Sequence, residues 1–187
     1  MPSQWKRKRS VIRHYDRTAK TYDTQYGEEQ DAKITAALES LNHTDSSAVL
    51  DAGCGTGLLF HHIANHAKLI IGIDTSKALL KQAKSKAPAN THVIRADADH
   101  IPFHDKTFTL VFAFTLLQNM PQPENTLEEL KRVTRHNARI VITGLKKNFT
   151  KENFTQVLEN ADLEAVSMRI DEKLKDYIAV CRKRPTL

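Results

Sequence analysis

The chain has 187 residues, a length that can bury the core of a single domain without a disulfide or a structural metal. Its two cysteines lie far apart and no apolar run approaches the length of a membrane span, so we expect a cytoplasmic protein with no membrane segment. Eight basic residues lie in residues 1–13 and 182–187, so that residues 14–181 carry a net charge of −2 within a total of +6. Attraction to a polyanion is therefore concentrated at the termini, unless these ends serve only solubility.

Hydrophobic periodicity predicts that the N-terminal part of the chain is helical. Apolar residues recur with a helical period over residues 12–41, and one interruption is expected near Gly27. A second helix is then predicted from about Ala32 to Leu41, where Ile34 and two leucines share one face. Residues 42–47 are rich in turn-forming residues and should end this helical region.

Short apolar runs and amphipathic segments alternate in the rest of the chain. Strands are predicted at residues 48–52, 69–73, 92–96, 108–114, 139–143, 165–170 and 177–181. Helices are predicted between them at residues 58–66, 76–87, 124–134 and 151–160. Such alternation predicts a parallel sheet with helices on both faces. Only six residues separate the last two strands, too few for a parallel crossover, which predicts an antiparallel hairpin.

A glycine-rich loop follows the first predicted strand. Gly53, Gly55 and Gly57 precede a helix, which places a ligand at the helix N-terminus and at the carboxyl ends of the strands. The loop lacks the Lys-Ser/Thr pair of a phosphate-binding P-loop. Asp51, two residues before Gly53, would repel a pyrophosphate and favour a ligand with positive charge, such as an ammonium or a sulfonium.

Two more carboxylates follow the next two predicted strands. Asp74 is placed to accept hydrogen bonds from the ribose hydroxyls of an adenosine, as an acid at this point does in dinucleotide-binding folds. Asp97 follows the third strand, where a carboxylate can accept from the adenine amine. Each acid alone could equally cap a helix or a turn, but three acids at three successive strand ends favour an adenosine ligand that also carries a positive charge.

These motifs resemble those of the class I S-adenosylmethionine-dependent methyltransferases of the methyltransferase-11 type, over about residues 14–145. Residues 49–57 (VLDAGCGTG) are similar to the first motif of that family, residues 71–74 to its ribose motif and residues 97–103 to its adenine motif. The resemblance implies S-adenosylmethionine as cofactor. It also implies a three-layer α/β sandwich with a seven-stranded, mostly parallel sheet whose last strand is antiparallel.

An N-terminal pattern of tyrosines and aspartates supports the same resemblance. Residues 15–23 (YDRTAKTYD) are similar to a family segment that packs over the cofactor, although Tyr15, Ala19 and Tyr22 also fit a plain amphipathic helix. We therefore expect one domain with a basic arm (1–13), a helical lid (14–45) and a Rossmann-like core (46–187). The residues expected to bind the cofactor are Tyr15, Tyr22, Asp51, Gly53, Gly55, Gly57, Asp74, Thr75, Asp97, Ala98 and Phe114.

The methyl acceptor is expected beyond the fourth strand, at residues 114–121. This segment lacks the Asn/Asp-Pro-Pro-Tyr/Phe tetrad that aligns an exocyclic amine in many such enzymes. Gln118 and Asn119 are the polar residues predicted to position the acceptor, unless they cap the following helix. No metal site is predicted, because His62 and His66 lie one turn apart without a third ligand.

The sequence leaves the identity of the acceptor open. The basic arm beside the lid favours RNA, either tRNA or rRNA, because phosphate contacts give affinity that is independent of base sequence. An enzyme this small could then depend on a partner subunit for its substrate. A quinone-type molecule or another metabolite is the alternative acceptor, which Phe114, Leu116 and Met120 would suit. A third hypothesis is a non-catalytic subunit that binds the cofactor on behalf of a partner.

Overall fold

A computed structural model describes residues 2–41 and 46–184, without the side chains of residues 2 and 3. Two helices come first, α1 (Pro2–Thr18) and α2 (Tyr22–Glu39), joined by a 3-10 turn at Ala19–Thr21. The predicted interruption near Gly27 is wrong, because Gly27 lies inside α2 with open space where a side chain would project. The predicted turn at residues 42–47 lies largely outside the described residues.

The 3-10 turn between α1 and α2 is anchored to the core. Ala19 is buried there, and its carbonyl accepts a hydrogen bond of 2.6 Å from Gln82 Nε2. Helix α1 runs without a break across residues 13 and 14, where the sequence placed the boundary between arm and lid. The described part of the expected basic arm is therefore helical and continuous with the lid.

Seven strands form one sheet with the order β3-β2-β1-β4-β5-β7-β6. They are β1 (Ser46–Ala52), β2 (Ala67–Asp74), β3 (Thr91–Arg95), β4 (Phe108–Ala113), β5 (Thr134–Leu145), β6 (Leu163–Arg169) and β7 (Asp176–Lys183). Strands β1 to β5 pair in parallel, whereas β7 is antiparallel to both β5 and β6. The predicted fold class and the antiparallel hairpin are confirmed.

Helices cover both faces of the sheet. The remaining helices are α3 (Phe60–Ile63), α4 (Lys77–Ser85), α5 (Pro123–Val133) and α6 (Lys151–Asn160). One face packs under Leu127 and Phe154 of α5 and α6, and the other under Ile34, Phe60 and Leu80 of α2, α3 and α4. Continuous apolar strands such as β4 are explained by burial on both faces. No helix in the described parts of the chain is both long and apolar enough to span a membrane.

The helix predicted at residues 58–66 is only partly present. One turn, α3, is followed by a 3-10 turn at Ala64–His66. The Phe60 ring is the buried anchor of this segment, since a methyl group added at Gly57 or Gly72 would lie within 2.6 Å of it. Both glycines thus allow α3 to sit tightly against the glycine loop and β2, which fixes the position of that loop.

Candidate functional site

Two adjoining cavities open at the carboxyl ends of β1 to β4. Their volumes are about 710 and 360 Å³, and they share Tyr22, Gly53, Gly55 and Phe114 as walls. Ten of the predicted site residues line the larger cavity, namely Tyr15, Tyr22, Gly53, Gly55, Asp74, Thr75, Asp97, Ala98, Phe114 and Asn119. Asp51 lines the smaller cavity, whereas Gly57 and Gln118 line neither.

The glycine loop is held against the end of β2 by its own backbone. Gly53, Gly55 and Gly57 have φ angles of 77°, 55° and 79°, a region that L-residues with side chains rarely adopt. The Gly53 amide donates a hydrogen bond of 2.8 Å to the Ile73 carbonyl, and the Gly55 amide donates one of 3.1 Å to Asp74 Oδ2. Gly53 and Gly55 therefore present bare backbone to the cavity, while Gly57 faces the Phe60 ring.

Asp74 is fixed at the end of β2 by amide donors on both sides. Its Oδ2 accepts from Gly55, and its Oδ1 accepts a hydrogen bond of 2.7 Å from the Ser76 amide. Burial raises the pKa of this carboxyl, while these backbone donors act in the opposite direction. The carboxylate forms part of the cavity wall, so its oxygens can accept hydroxyl donors from a ligand there.

Asp51 lies deep at the end of β1, with only 3% of its surface exposed. Burial raises its pKa to about 8, and the nearby charge of Asp74 acts in the same direction. Two carboxyls in one buried site favour the binding of a cation, because a nearby positive charge lowers the free-energy cost of ionising both carboxyls. The smaller cavity is therefore suited to a cationic group.

Lys8 of α1 reaches into the larger cavity and contacts the acids that follow β3. Its Nζ lies 2.6 Å from Asp97 Oδ2, 2.8 Å from Asp97 Oδ1 and 2.5 Å from Asp99 Oδ2. The Lys8 side chain is 12% exposed, so most of it is enclosed by the lid and the cavity wall. The carboxylate that the sequence predicts for an adenine amine is thus held by a lysine of the same chain.

The aspartates of the N-terminal pattern hold the lid in place. Asp16 Oδ1 accepts hydrogen bonds of 2.6 Å from Ser76 Oγ and 3.1 Å from the Ala78 amide, at the first turn of α4. Asp23 accepts from Thr56 Oγ1 of the glycine loop at 2.5 Å and forms a 2.6 Å ion pair with Lys86.

The tyrosines of the same pattern line the larger cavity. The rings of Tyr15 and Tyr22 contact each other edge to face with their centroids 6.0 Å apart. Burial raises the pKa of both phenols, so both are neutral near neutral pH. The two residue types of the repeat therefore have different roles. Asp16 and Asp23 hold the lid against the core, and Tyr15 and Tyr22 form part of the cavity wall.

The segment after β4 forms the side of the cavity opposite Asp97. Asn119 Nδ2 donates to Tyr15 Oη at 3.1 Å and to the Thr115 carbonyl at 2.9 Å, so its amide oxygen stays available. Gln118 Oε1 is buried and has no hydrogen-bond partner among the described residues. Thr115 adopts a φ of 53°, an uncommon conformation for a β-branched residue. The predicted acceptor residues thus lie beside the lid, but only Asn119 faces the cavity.

A buried ion pair that the sequence did not predict contacts the segment after β4. Lys33 of α2 is 1% exposed, and its Nζ lies 2.8 Å from Asp176 Oδ2 at the start of β7. The same ammonium donates a hydrogen bond of 2.8 Å to Thr115 Oγ1, which also accepts one of 3.2 Å from Gln30 Nε2. A sequence signal existed, because Gln30 and Lys33 are polar residues on the helix face that carries Ile34 and Ala37.

Comparison with known proteins places this site in a family. The family model described as a methyltransferase domain matches residues 50–142, which hold the glycine loop, the three acids and β4. The chain is 30% identical over 140 residues to the phosphatidylethanolamine N-methyltransferase of Cereibacter sphaeroides, covering 72% of this chain and 68% of that protein. The chain belongs to the S-adenosylmethionine-dependent methyltransferases. S-adenosylmethionine is the cofactor of this family, and the acids and glycines of the cleft fit its adenosine and its positive charge.

Other relatives of the chain are longer. It is 29% identical over 149 residues to a malonyl-[acyl-carrier protein] O-methyltransferase of Marinomonas sp., a match that covers 78% of this chain. The chain spans 55–61% of the length of this and two further curated relatives. Among solved structures, the DhpI complex with SAH has a TM-score of 0.79 at 20% identity and covers 96% of this chain and 98% of that one. A Haloferax volcanii methyltransferase complex with the Trm112 activator has a TM-score of 0.77 at 14% identity, with 91% and 98% covered.

The contact between Lys8 and Asp97 leads to a prediction for cofactor affinity. A Lys8→Met variant should bind S-adenosylmethionine about fivefold more tightly if Asp97 takes the adenine role predicted from the sequence, because this carboxylate would then accept from adenine without losing an ion pair worth roughly 1 kcal/mol. Titration calorimetry measures this directly. Lys6→Met, at an exposed position of the same helix, should leave the affinity unchanged. Equal or weaker binding by Lys8→Met would mean that Lys8 supports the cofactor site and does not compete for it.

Proposed function

We propose that this chain catalyses methyl transfer from S-adenosylmethionine to an acceptor that enters the cleft between α1 and the segment after β4. The observation that carries the proposal is the set of three acids, Asp51, Asp74 and Asp97, at adjacent strand ends around one pair of cavities. When bound, the cofactor supplies a methyl group that is already activated by its sulfonium. Positioning of the acceptor can then provide much of the rate acceleration.

Each part of the cleft has a role in this proposal. Asp74 would accept from the ribose hydroxyls, Asp97 from the adenine amine, and Asp51 would compensate the positive charge of the cofactor. The lid tyrosines would exclude water from the cofactor, and Asn119 would orient the acceptor through its free amide oxygen. Residues 96–98 with Thr75 would enclose the adenine, and Phe114 would close the methionine end.

Substitution of Asp74 tests the cofactor part of the proposal. Asp74→Asn should weaken S-adenosylmethionine binding about 10- to 100-fold, because hydrogen bonds to a charged group contribute roughly 1.5–3 kcal/mol. Equilibrium binding to labelled cofactor measures the loss. Glu172→Gln, which neutralises an exposed carboxylate elsewhere, is the matched control and should bind normally. Unchanged binding by Asp74→Asn would contradict the proposal that this carboxylate binds the adenosine of the cofactor.

For the acceptor, we favour a small amphipathic molecule. Apolar side chains from α1, α4 and the segment after β4 line the larger cavity, including Ile12, Leu79, Leu116 and Met120. Small-molecule sites are mostly apolar with a few convergent polar groups, and Asn119 is such a group here. The relative from Cereibacter sphaeroides, named for phosphatidylethanolamine, is consistent with an acceptor of this kind.

RNA is the second candidate for the acceptor, supported by the basic residues of α1. Lys6, Arg9 and Arg13 are exposed, whereas Lys8 is engaged inside the cavity and Arg7 donates to the Gln118 carbonyl at 3.4 Å. The Haloferax volcanii complex with an activator supports a dependence on a partner subunit, which stays part of this second proposal.

Two buried free cysteines, Cys54 and Cys181, are consistent with the reduced cytoplasmic setting expected from the sequence.

One labelling experiment separates these proposals. The purified chain is incubated with S-adenosylmethionine labelled in its methyl group and with a cell extract fractionated into RNA, protein and small molecules. Label in the small-molecule fraction supports the favoured acceptor, and label in RNA supports the second candidate. The same reaction with Asp74→Asn, at a cofactor concentration below the affinity of the variant, should label every fraction far less. Transfer to no fraction by the unmodified chain, despite normal cofactor binding, would favour the non-catalytic subunit.

A further inference from the structure

A second large depression lies at the edge of the sheet opposite the cofactor cleft. We call it the basic groove; it has a volume of about 1,610 Å³ and is formed by the loop before β4, the end of α5, the start of β5 and the end of β7. Seven lysines and arginines line it against three carboxylates, and every lining side chain is polar or charged. The basic C-terminal residues 182–184 and the start of β5 meet here because β7 runs antiparallel to β5.

Part of the positive charge in the basic groove is already neutralised within the fold. Arg132 is held by Glu129 and Asp105 and donates to two backbone carbonyls. Lys131 pairs with Glu128 and Asp162. These two residues lie in the last turn of α5, where cations also stabilise the helix dipole, so their presence is explained by the fold alone.

Three cations of the groove lack a carboxylate partner among the described residues. Lys106 and Arg139 form no ion pair there, and Lys183 Nζ donates to the Thr134 carbonyl. The pKa of Lys183 is lowered by burial and by the like charges of Lys106 and Lys131. Cations that repel one another at the wall of an open groove create a local positive potential, which an anion would relieve.

The chemistry of the wall indicates what kind of anion fits. A protein partner would require an apolar centre to its interface, and the basic groove has no apolar side chain in its lining. The lining also contains no Phe, Tyr or Trp, the side chains on which single-stranded bases stack. What remains is a surface suited to repeated phosphates that are recognised by charge alone.

We propose that the basic groove binds the phosphate backbone of a double-stranded nucleic acid without reading its sequence, and an RNA duplex is the probe that tests it. Lys106, Arg139 and Lys183 are the residues that contact phosphates. The site lies at the opposite ends of the strands from the cofactor cleft, so the proposal stands whether the methyl acceptor is RNA or a small molecule. Its role is to hold the protein on a polyanion.

The test compares two variants that lose the same number of charges. The groove variant carries Lys106→Gln, Arg139→Gln and Lys183→Gln, and the control variant carries Lys68→Gln, Lys81→Gln and Lys84→Gln at exposed positions elsewhere. Binding to a fluorescent RNA duplex of about 20 base pairs is followed by anisotropy over a range of salt concentrations. S-adenosylmethionine affinity and the melting temperature are measured for both variants as checks on folding.

The unmodified chain should bind the duplex with an affinity that falls steeply with salt. The groove variant should bind at least about tenfold more weakly, and its slope of log affinity against log salt should be shallower by about 3, since each lost phosphate contact removes roughly 0.9. The control variant should keep the original slope. If Lys183→Gln disturbs the fold, the double variant Lys106→Gln/Arg139→Gln should still make the slope of log affinity against log salt shallower by about 2.

Three results would overturn the proposal. One is the absence of duplex binding by the unmodified chain at low salt. Another is an equal loss of affinity in the groove and control variants, which would assign the binding to net charge. The third comes from competition with polyglutamate: displacement of the duplex at equal charge concentration would mean that the groove accepts an acidic polypeptide as readily as RNA.

Discussion

Asp51→Asn should abolish the pH dependence of cofactor binding and should weaken binding most at alkaline pH. In the cofactor-free protein, burial and the neighbouring Asp74 raise the pKa of Asp51 to about 8, so this carboxyl is largely protonated at neutral pH. A cationic ligand binds best when Asp51 is ionised, and binding must therefore release a proton below pH 8. The affinity of the unmodified chain should rise up to about tenfold for each pH unit between about 6 and 8.

The raised pKa of Asp51 also predicts how the stability of the cofactor-free protein depends on pH. Stability should fall as the pH rises, whereas the affinity for the cofactor should rise. The folded-state pKa of Asp51 lies above its ordinary value of 3.8, so its protonated form stabilises the fold at low pH. This contribution is lost as the pH rises through about 8. Without cofactor, Asp51→Asn should therefore melt at a higher temperature than the unmodified chain at pH 8, and the difference should shrink toward pH 5.

Calorimetric titrations at several pH values, with melting curves in parallel, measure both effects. Glu172→Gln neutralises an exposed carboxylate in the turn between β6 and β7 and should behave like the unmodified chain in both assays. S-adenosylhomocysteine lacks the sulfonium charge, so a weaker pH dependence for this ligand would assign the effect of Asp51 to the sulfonium. A pH dependence that survives in Asp51→Asn would contradict the role of this carboxyl.

Local patterns were enough to predict the sheet and the cleft. Each of the acids Asp51, Asp74 and Asp97 stands at or just after the end of a strand of the parallel part of the sheet, and parallel strands bring such ends to one edge. The connection between β6 and β7 is too short for a parallel crossover, and its length therefore predicted the antiparallel hairpin. The helix break was mispredicted because packing of the buried face of α2 outweighs the roughly 1 kcal/mol that one glycine costs a helix, whereas the real break is fixed by packing of Ala19.

Contacts between distant parts of the chain were beyond local patterns. Lys8 and Asp97 are 89 residues apart, and nothing in the basic segment distinguishes Lys8 from its neighbours. The basic groove likewise draws on residues from 105 to 184, so that the basic residues 182–184 lie together with cations from three other segments. Periodicity predicts which face of a helix is buried, but it does not predict which side chain on another element that face will meet.

Loss of the Lys33–Asp176 pair should have the largest effect on stability. Lys33→Met leaves the Asp176 carboxylate, which is 0% exposed, without its cation 2.8 Å away. Breaking a buried pair by removing one partner costs about 3–5 kcal/mol, a large share of the roughly 5–15 kcal/mol that stabilises a typical domain. Urea unfolding at pH 8 should show this loss as a much lower midpoint.

The loss in Lys33→Met should depend on pH in a way that identifies its cause. Burial already raises the pKa of Asp176 above its ordinary value, and removal of Lys33 raises it further. A carboxyl of this kind favours the fold while it is protonated, and that contribution is lost as the pH rises through its folded-state pKa. The midpoint difference between Lys33→Met and the unmodified chain should therefore be smaller at pH 5 than at pH 8.

A double variant separates the charge effect from the loss of packing. Lys33→Met/Asp176→Asn removes both charges and should regain much of the stability that Lys33→Met loses, because no unpaired carboxylate is then buried. Lys175→Met breaks an exposed pair with Glu29 in the same region and should leave the midpoint unchanged. Since Lys33 also donates to Thr115 at the cavity wall, the double variant should fold yet position the acceptor less well. A double variant as unstable as Lys33→Met would mean that packing of the lysine stem, and not its charge, joins α2 to β7.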